Sequence, residues 1–303
     1  MADLHSLMEI GKVYGKEKEN KTMREYANEI AKEIEKRFEN AEVRVVDVPK
    51  ANGIMYTGIS VRFAGTNIAP TVYVNSFYEQ HVPVDVAVRE LGNVLTQEQE
   101  KIGQMNTNMD WFTDFENVKD KLTARLYNKT TKAEVKRSAK AYGFDDLVIV
   151  PYVELEMADR TQGAIKITQK HIDLWGVTAR KVIDIALKNT EKTAKITDLL
   201  ETIAEMQGIK VEDIPFEVAG PRMLIITNDK TINGASAILG KIDYFKEKFG
   251  EFYIIPSSIH EVLVVPVIPG MPKEALEEII GQVNREVVVP EEFLSNQAYH
   301  FVA

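Results

Sequence analysis

Residues 252 to 267 read FYIIPSSIHEVLVVPV. Two runs of apolar, strand-forming residues flank Pro256, Ser257 and Ser258, and these residue types turn a chain. Proline presets φ, and serine hydroxyls bond nearby backbone groups. The stretch therefore predicts two antiparallel strands with a reversal between Ile255 and Val262, the second strand covering 259–265. Side chains alternate along a strand, so Ile259, Glu261 and Leu263 face one side while His260, Val262 and Val264 face the other. The same few residues gather two hydroxyls, an imidazole and a carboxylate, which makes the corner a functional question too.

Working outward, the pattern recurs. Thr22 with Glu25 is a capping box, followed by Tyr26, Ile30, Ile34 and Phe38 on one helical face. VRVVDV (43–48) and MYTGISVRF (55–63) flank Asn52-Gly53, a hairpin dipeptide because both residues tolerate positive φ. TVYVNSFY (71–78) reads as a strand, and helices follow over 83–97 and 112–127, the latter lined by Phe115, Val118, Leu122 and Leu126. DDLVIVPYVELE (145–156) and GAIKIT (163–168) are predicted strands. Helices then start after Thr178 and at Thr197, with Gly208 closing the second. MLIIT (223–227) precedes a helix over 234–249, and a last helix starts at Pro272. Strand–turn–strand–helix units repeated in this way predict an α+β fold with mainly antiparallel sheets and packed helices. The Pro- and Gly-containing stretch 208–221 reads as a linker. It separates an α+β lobe over 22–207 from a smaller one over 222–303, after a partly flexible segment over 1–21.

Composition bounds the class. With 303 residues, 45% hydrophobic and 27% charged, the chain has enough apolar material for a large buried core. It has no cysteine, which excludes disulfides, thiolate metal sites and a cysteine nucleophile, and fits a reducing compartment. The first residues lack a basic region followed by an apolar core, and no apolar run approaches the roughly 20 residues a membrane span needs. The expectation is a cytoplasmic protein with no membrane partner. A net charge of −9 disfavours broad affinity for nucleic acid. Yet 119–140 carries eight basic residues against Asp120 and Glu134, while 251–303 carries eight acidic residues against Lys273 and Arg285.

Four kinds of chemistry can be sought. A Ser–His–acid relay needs the acid on the imidazole nitrogen that faces away from the serine. Ser257 or Ser258 with His260 would need a remote carboxylate such as Asp146, because Glu261 points away from His260 on a strand. No G-x-S-x-G elbow occurs. The five histidines show no metal-ligand spacing and no phosphate loop is present, so no metal and no cofactor is implied. Asn228 in TNDKTINGAS could present a loop to a ligand. The basic stretch, with Lys121, Arg125, Lys129, Lys136 and Arg137 near Tyr127 and Tyr142, could hold an anion or nucleic acid.

Several segments occur together and in order: NGIMYTGISVR, NIAPTVYVNSFYE, FTDFENVKDKL, DLWGVT with ALKNT, LIITNDKTINGASAIL, YIIPSSIHEVLVVP and VNREVVVPEEFLSNQAYHF. On these, the chain from about residue 40 onward resembles the bacterial family, common in gut clostridia, known as domain of unknown function 5688. The matching positions include Asn52-Gly53, Thr71, Asn75, Asp114, Asp146, Trp175, Asn189, Asn228, Ser257, Ser258, His260 and Glu261. The resemblance implies no activity, cofactor or catalytic residue. Trp175 and Glu261 join Asn228 as binding candidates. The favoured expectation is a non-catalytic binding or interaction protein, with a protein as the expected partner. Its rivals are a hydrolase built on Ser258 and His260, and an anion or nucleic-acid binder built on 119–140.

Overall fold

In the computed structural model, which describes residues 21–66, 68–104, 110–156, 162–213, 222–256, 258–267, 269–270 and 272–303, Thr22 caps helix α1 (Met23–Arg37). Its hydroxyl accepts from the Glu25 N–H while Glu25 accepts from the Thr22 N–H, which satisfies two donors that a helix start leaves open. Strands β1 (Glu42–Pro49) and β2 (Met55–Arg62) form the predicted hairpin, with Val45 opposite Ile59. The turn between them places Asn52 and Gly53 at positive φ, 61° and 75°. β3 (Thr71–Tyr73) is shorter than expected. Asn75 ends it by accepting the Thr57 N–H at 2.9 Å and starts a short helix α2 (Asn75–Glu79). Helix α3 (Val84–Gln104) then packs Leu91 and Leu95 beside Ile30 and Ile34 of α1, over Ile59 and Val61.

The expected helix over 112–127 does not form. Two short turns of helix, α4 (Asp110–Thr113) and α5 (Phe115–Val118), give way to strand β4 (Leu122–Asn128). Phe115, Val118, Leu122 and Leu126 do recur at helical spacing, but Leu122, Ala124 and Leu126 also alternate. The strand β6 (Leu147–Glu156) decides between them, because it pairs with β4 along seven residues, Leu122 opposite Val153 to Asn128 opposite Leu147. β5 (Arg137–Ser138) and β7 (Gln162–Lys166) also pair with β6. Helix α6 (Gln169–Trp175) ends at Gly176, and α7 (Ala179–Lys192) runs against β4.

The remaining elements build a five-stranded sheet in the order β12-β10-β11-β9-β8. β8 (Ala194–Asp198) precedes α8 (Leu199–Gln207), where a helix starting at Thr197 was expected. After β9 (Leu224–Asn228) the expected helix over 234–249 is split into a 3-10 turn over 235–240 and α9 (Ile242–Phe249). β10 (Glu251–Ile255) and β11 (Val262–Pro266) form the opening hairpin, and α10 (Lys273–Val287) and β12 (Tyr299–Val302) close the chain. All registered pairs are antiparallel. The α+β expectation holds.

The chain divides into two compact units elsewhere than 208–221. Of the described residues, those within 1–50, 54–109 and 156–161 make one unit, and those within 51–53, 110–155 and 162–303 the other. Residues 214–221 of the expected linker lie outside the described residues, as do 1–20 of the expected N-terminal segment. The strands on either side of the linker, β8 and β9, are paired along five residues, so the two predicted lobes share one sheet.

Candidate functional site

The opening hairpin is a corner held by three loops. Its second strand starts at Val262, so Ile259, His260 and Glu261 precede the ladder and the expected alternation does not reach them. Their backbone bonds go to other loops instead. The Ile259 N–H donates to the Glu292 carbonyl, and the His260 carbonyl accepts from the Gly234 N–H and the Thr227 hydroxyl. Gly234 has no side chain for a reason: a Cβ there would lie 2.4 Å from the Asn228 nitrogen and 2.9 Å from the His260 oxygen.

The imidazole does have an acid, but neither of those considered from sequence. His260 Nε2 lies 3.1 Å from Glu292 Oε1, while Nδ1 accepts the Asn233 N–H at 3.2 Å. An accepting Nδ1 places the ring proton on Nε2, facing Glu292. Both nitrogens are therefore engaged. The Ser258 hydroxyl is turned to the His260 backbone, accepting its N–H at 3.1 Å. Asp146 is 9% exposed and accepts from the Ser295 hydroxyl at 2.8 Å and from the Tyr299 hydroxyl. Burial raises its carboxyl above the usual range, with the Ser295 bond opposing. Ser258, His260 and Asp146 thus form no relay. Ser257 lies outside the described residues.

The other candidates separate. Trp175 is buried among Phe112, Phe115 and His171, and its Nε1 donates to the Phe112 carbonyl at 2.7 Å. Glu261 is exposed. Lys121 lies over the Trp111 ring at 5.8 Å, Lys136 donates to the Thr131 carbonyl, and Arg137 pairs with Asp184 at 2.6 Å. The Lys129 N–H donates to the Asp146 carbonyl, and its side chain is solvated. Because β4 is a strand and not a helix, the basic residues do not form one stripe.

Arg125 and Asn228 do come together. They line an open cleft of about 50 Å³ with Thr123, Glu154, Thr190, Thr193, Asp229, Lys230 and Asn233. β4 points Thr123 and Arg125 to one side, because Leu122, Ala124 and Leu126 are buried on the other. The Arg125 guanidinium lies 4.2 Å from the centre of the Tyr152 ring, a cation–π contact that fixes its plane. Burial, then the neighbouring Tyr127, keeps the Tyr152 hydroxyl protonated far above the usual tyrosine range. Asn228 turns out to shape the loop. Its amide donates to the Ile232 carbonyl, and its oxygen accepts the Lys230 and Ile232 N–H groups. Lys230 pairs with Glu154 at 2.6 Å. Arg125 Nε and Thr123 Oγ1 are closed off from solvent without a hydrogen-bond partner. Thr123, Glu154 and Lys230 were not singled out from sequence. The alternation of Thr123, Arg125 and Tyr127, had it been read as a strand, would have paired Thr123 with Arg125, but no local signal marks Glu154 or Lys230.

A second feature lies on α10. Leu276 and Ile280 pack on Ile255, Val265 and Ala298, but Ile279, Val283 and Val287 are 50%, 45% and 74% exposed. They sit at i, i+4 and i+8, one stripe of the helix. Glu274, Glu278 and Glu286 are exposed beside it.

Fold and site together define an antiparallel α+β protein of two units, the second bearing a narrow polar cleft and an acidic, half-apolar helix. A family model described as a family of unknown function (DUF5688) matches residues 23–303, and the chain belongs to that family. No curated protein and no solved structure matches it. No helix among the described residues is long and apolar enough to cross a membrane.

Proposed function

We propose that the chain is a non-catalytic interaction protein of the cytoplasm, and that the outward stripe of α10 docks a basic amphipathic helix of a protein partner. The observation that carries this reading is the stripe Ile279, Val283 and Val287, left exposed beside Glu274, Glu278 and Glu286. Fully burying an aliphatic side chain is worth roughly 1.5–3 kcal/mol. Covering these three, already partly buried, gains about half to three quarters of that each before the costs of association. The carboxylates choose the partner, because they attract lysine and arginine at the rim and repel acid. They also disfavour a second copy, which would bring its own acidic stripe. The lack of cysteine supports a reducing compartment.

The test uses a helical peptide with leucines on one face and lysines on the other. The wild-type chain binds it saturably and more weakly as salt rises, and Ile279→Glu with Val283→Glu abolishes binding while the thermal midpoint is kept. Equal binding by the double variant, or none by the wild type, removes the proposal. So does a dimeric mass in solution that the double variant converts to monomer, since the occupant is then a second copy.

A further inference from the structure

The loop over 229–233, between β9 and the 3-10 turn over 235–240, is strained. Thr231 and Asn233 both stand in the left-handed region, at φ 57° and 55°. Neither is glycine, and a β-branched threonine tolerates that region poorly. Such backbone persists only where its surroundings hold it. Two side chains do so from outside the loop. At one end the Asn228 oxygen accepts the Lys230 and Ile232 N–H groups, while its amide donates to the Ile232 carbonyl. At the other end His260 Nδ1 accepts the Asn233 N–H at 3.2 Å. The first clamp is an amide, which does not titrate. The second is an imidazole, and it holds only while Nδ1 keeps its lone pair.

We infer that His260 is a pH-operated latch on the loop 229–233, closed while the imidazole is neutral and released when it gains a proton. An imidazolium carries N–H on both nitrogens, so turning the ring over restores no acceptor. The Asn233 N–H then faces a donor, and the left-handed turn loses one of its two clamps. Glu292, from the segment after α10, lies 3.1 Å from Nε2, with Glu291 beside it in the chain. Glu292 keeps the ring in place as it charges, because an Nε2–H that already faces a carboxylate stays a donor to it. Glu261, on the histidine's own segment, is exposed. The loop carries Asp229 and Lys230, and Lys230 is held by Glu154 at 2.6 Å. β9 meets His260 through the Thr227 hydroxyl, and the 3-10 turn, ASAILG, bears no charge. The loop forms one rim of the cleft beside β4, through Asp229, Lys230 and Asn233, and it presents Ile232 with 45% of its surface exposed. Release therefore acts on the rim of the cleft and on an exposed aliphatic side chain. It stops at Gly234, whose N–H is bonded to the His260 carbonyl, a group that does not titrate.

The experiment measures amide hydrogen exchange of the intact chain by NMR from about pH 8 to about pH 5, the range in which histidines change charge. Each rate is divided by the intrinsic rate at that pH, and the His260 Cε1 proton reports the state of the ring. Protection of the Asn233 N–H falls about tenfold in step with the ring's titration, as a lost hydrogen bond implies, while that of Gly234 is unchanged. His260→Asn, whose Oδ1 takes the place of Nδ1 and does not titrate, keeps Asn233 protected at every pH. Glu292→Gln, which withdraws the carboxylate facing the imidazolium, moves the release to lower pH. Asn233 protection that ignores the titration of the ring overturns the latch, and so does a ring still neutral at the lowest pH. An equal loss in the wild type and in His260→Asn overturns it too, because the change then comes from another group.

Discussion

At the scale of the residue, polar groups in the second unit are decided by where their hydrogen bonds end. Asp146 stood out in the sequence as an acid beside a strand, and it ends as an anchor for Ser295 and Tyr299. Burial raises its carboxyl above the usual 3.8, so the folded chain keeps a proton that the unfolded chain has released. The folded state then binds more protons, and the stability contributed by this group falls as pH rises from about 3.8 through the folded value. Asp146→Asn keeps the shape without the titration. Its stability relative to wild type, measured by urea unfolding at a series of pH values, should rise across that window and then level off. A difference that stays flat with pH would place the carboxyl at its ordinary value.

His260 carries a related lesson at the same scale. Its sequence neighbour Glu261 is solvated, and its acid comes from Glu292, thirty-two positions later. No spacing rule in a single sequence connects those two, because the loops that meet there are brought together by β9, β11 and the segment after α10. Arg125 was legible only as one basic residue among eight. The empty bonding capacity beside it comes from the fold.

At the scale of the element, the caps were written in the chain. Thr22 with Glu25 begins a helix and Gly208 ends one as read, while Gly176 ends the helix α6, which was not expected. Asp198 is the case the sequence assigned to the wrong element. It is the last residue of β8 and the N-cap of α8, accepting the N–H groups of Leu200 and Glu201 while Arg222 pairs with it at 2.5 Å. Burial alone would raise its carboxyl, but the Arg222 bond and the two backbone donors outweigh burial and hold it below 3.8. Stability from this group is therefore present above about 3.8 and is lost as pH falls through the lower folded value. Asp198→Ala should cost about 0.5–2 kcal/mol in denaturant unfolding at neutral pH, the usual value of a lost N-cap. A loss confined to low pH would contradict the assignment, since the wild-type carboxylate is protonated there. The misread helix over 112–127 belongs to this scale too. Its residues satisfy both periods, and only the partner strand β6 selects the extended form.

At the scale of the whole molecule, the division into units follows the cores and not the linker composition. The apolar cluster from Tyr26 to Ile102 closes within the first unit. A chain of residues 1–109 should therefore fold by itself and unfold cooperatively on heating, followed by circular dichroism. Residues 222–303 alone should not, because they leave β9 without β8 and Tyr299 without Asp146 and Phe144. Cooperative unfolding of that fragment would restore the boundary at 208–221.

By itself the sequence determined the fold class, the hairpins at Asn52-Gly53 and at 252–267, the starts of several helices, and membership of the family. Those properties depend on local φ preferences, capping bonds and hydrophobic period, which neighbours in the chain suffice to express. Tertiary structure alone decided which carboxylate faces His260, that Arg125 meets Thr123 in a cleft, and that one stripe of α10 is left uncovered. Each of these requires distant segments to approach, and the pairing of strands that brings them together is chosen by burial across the sheets.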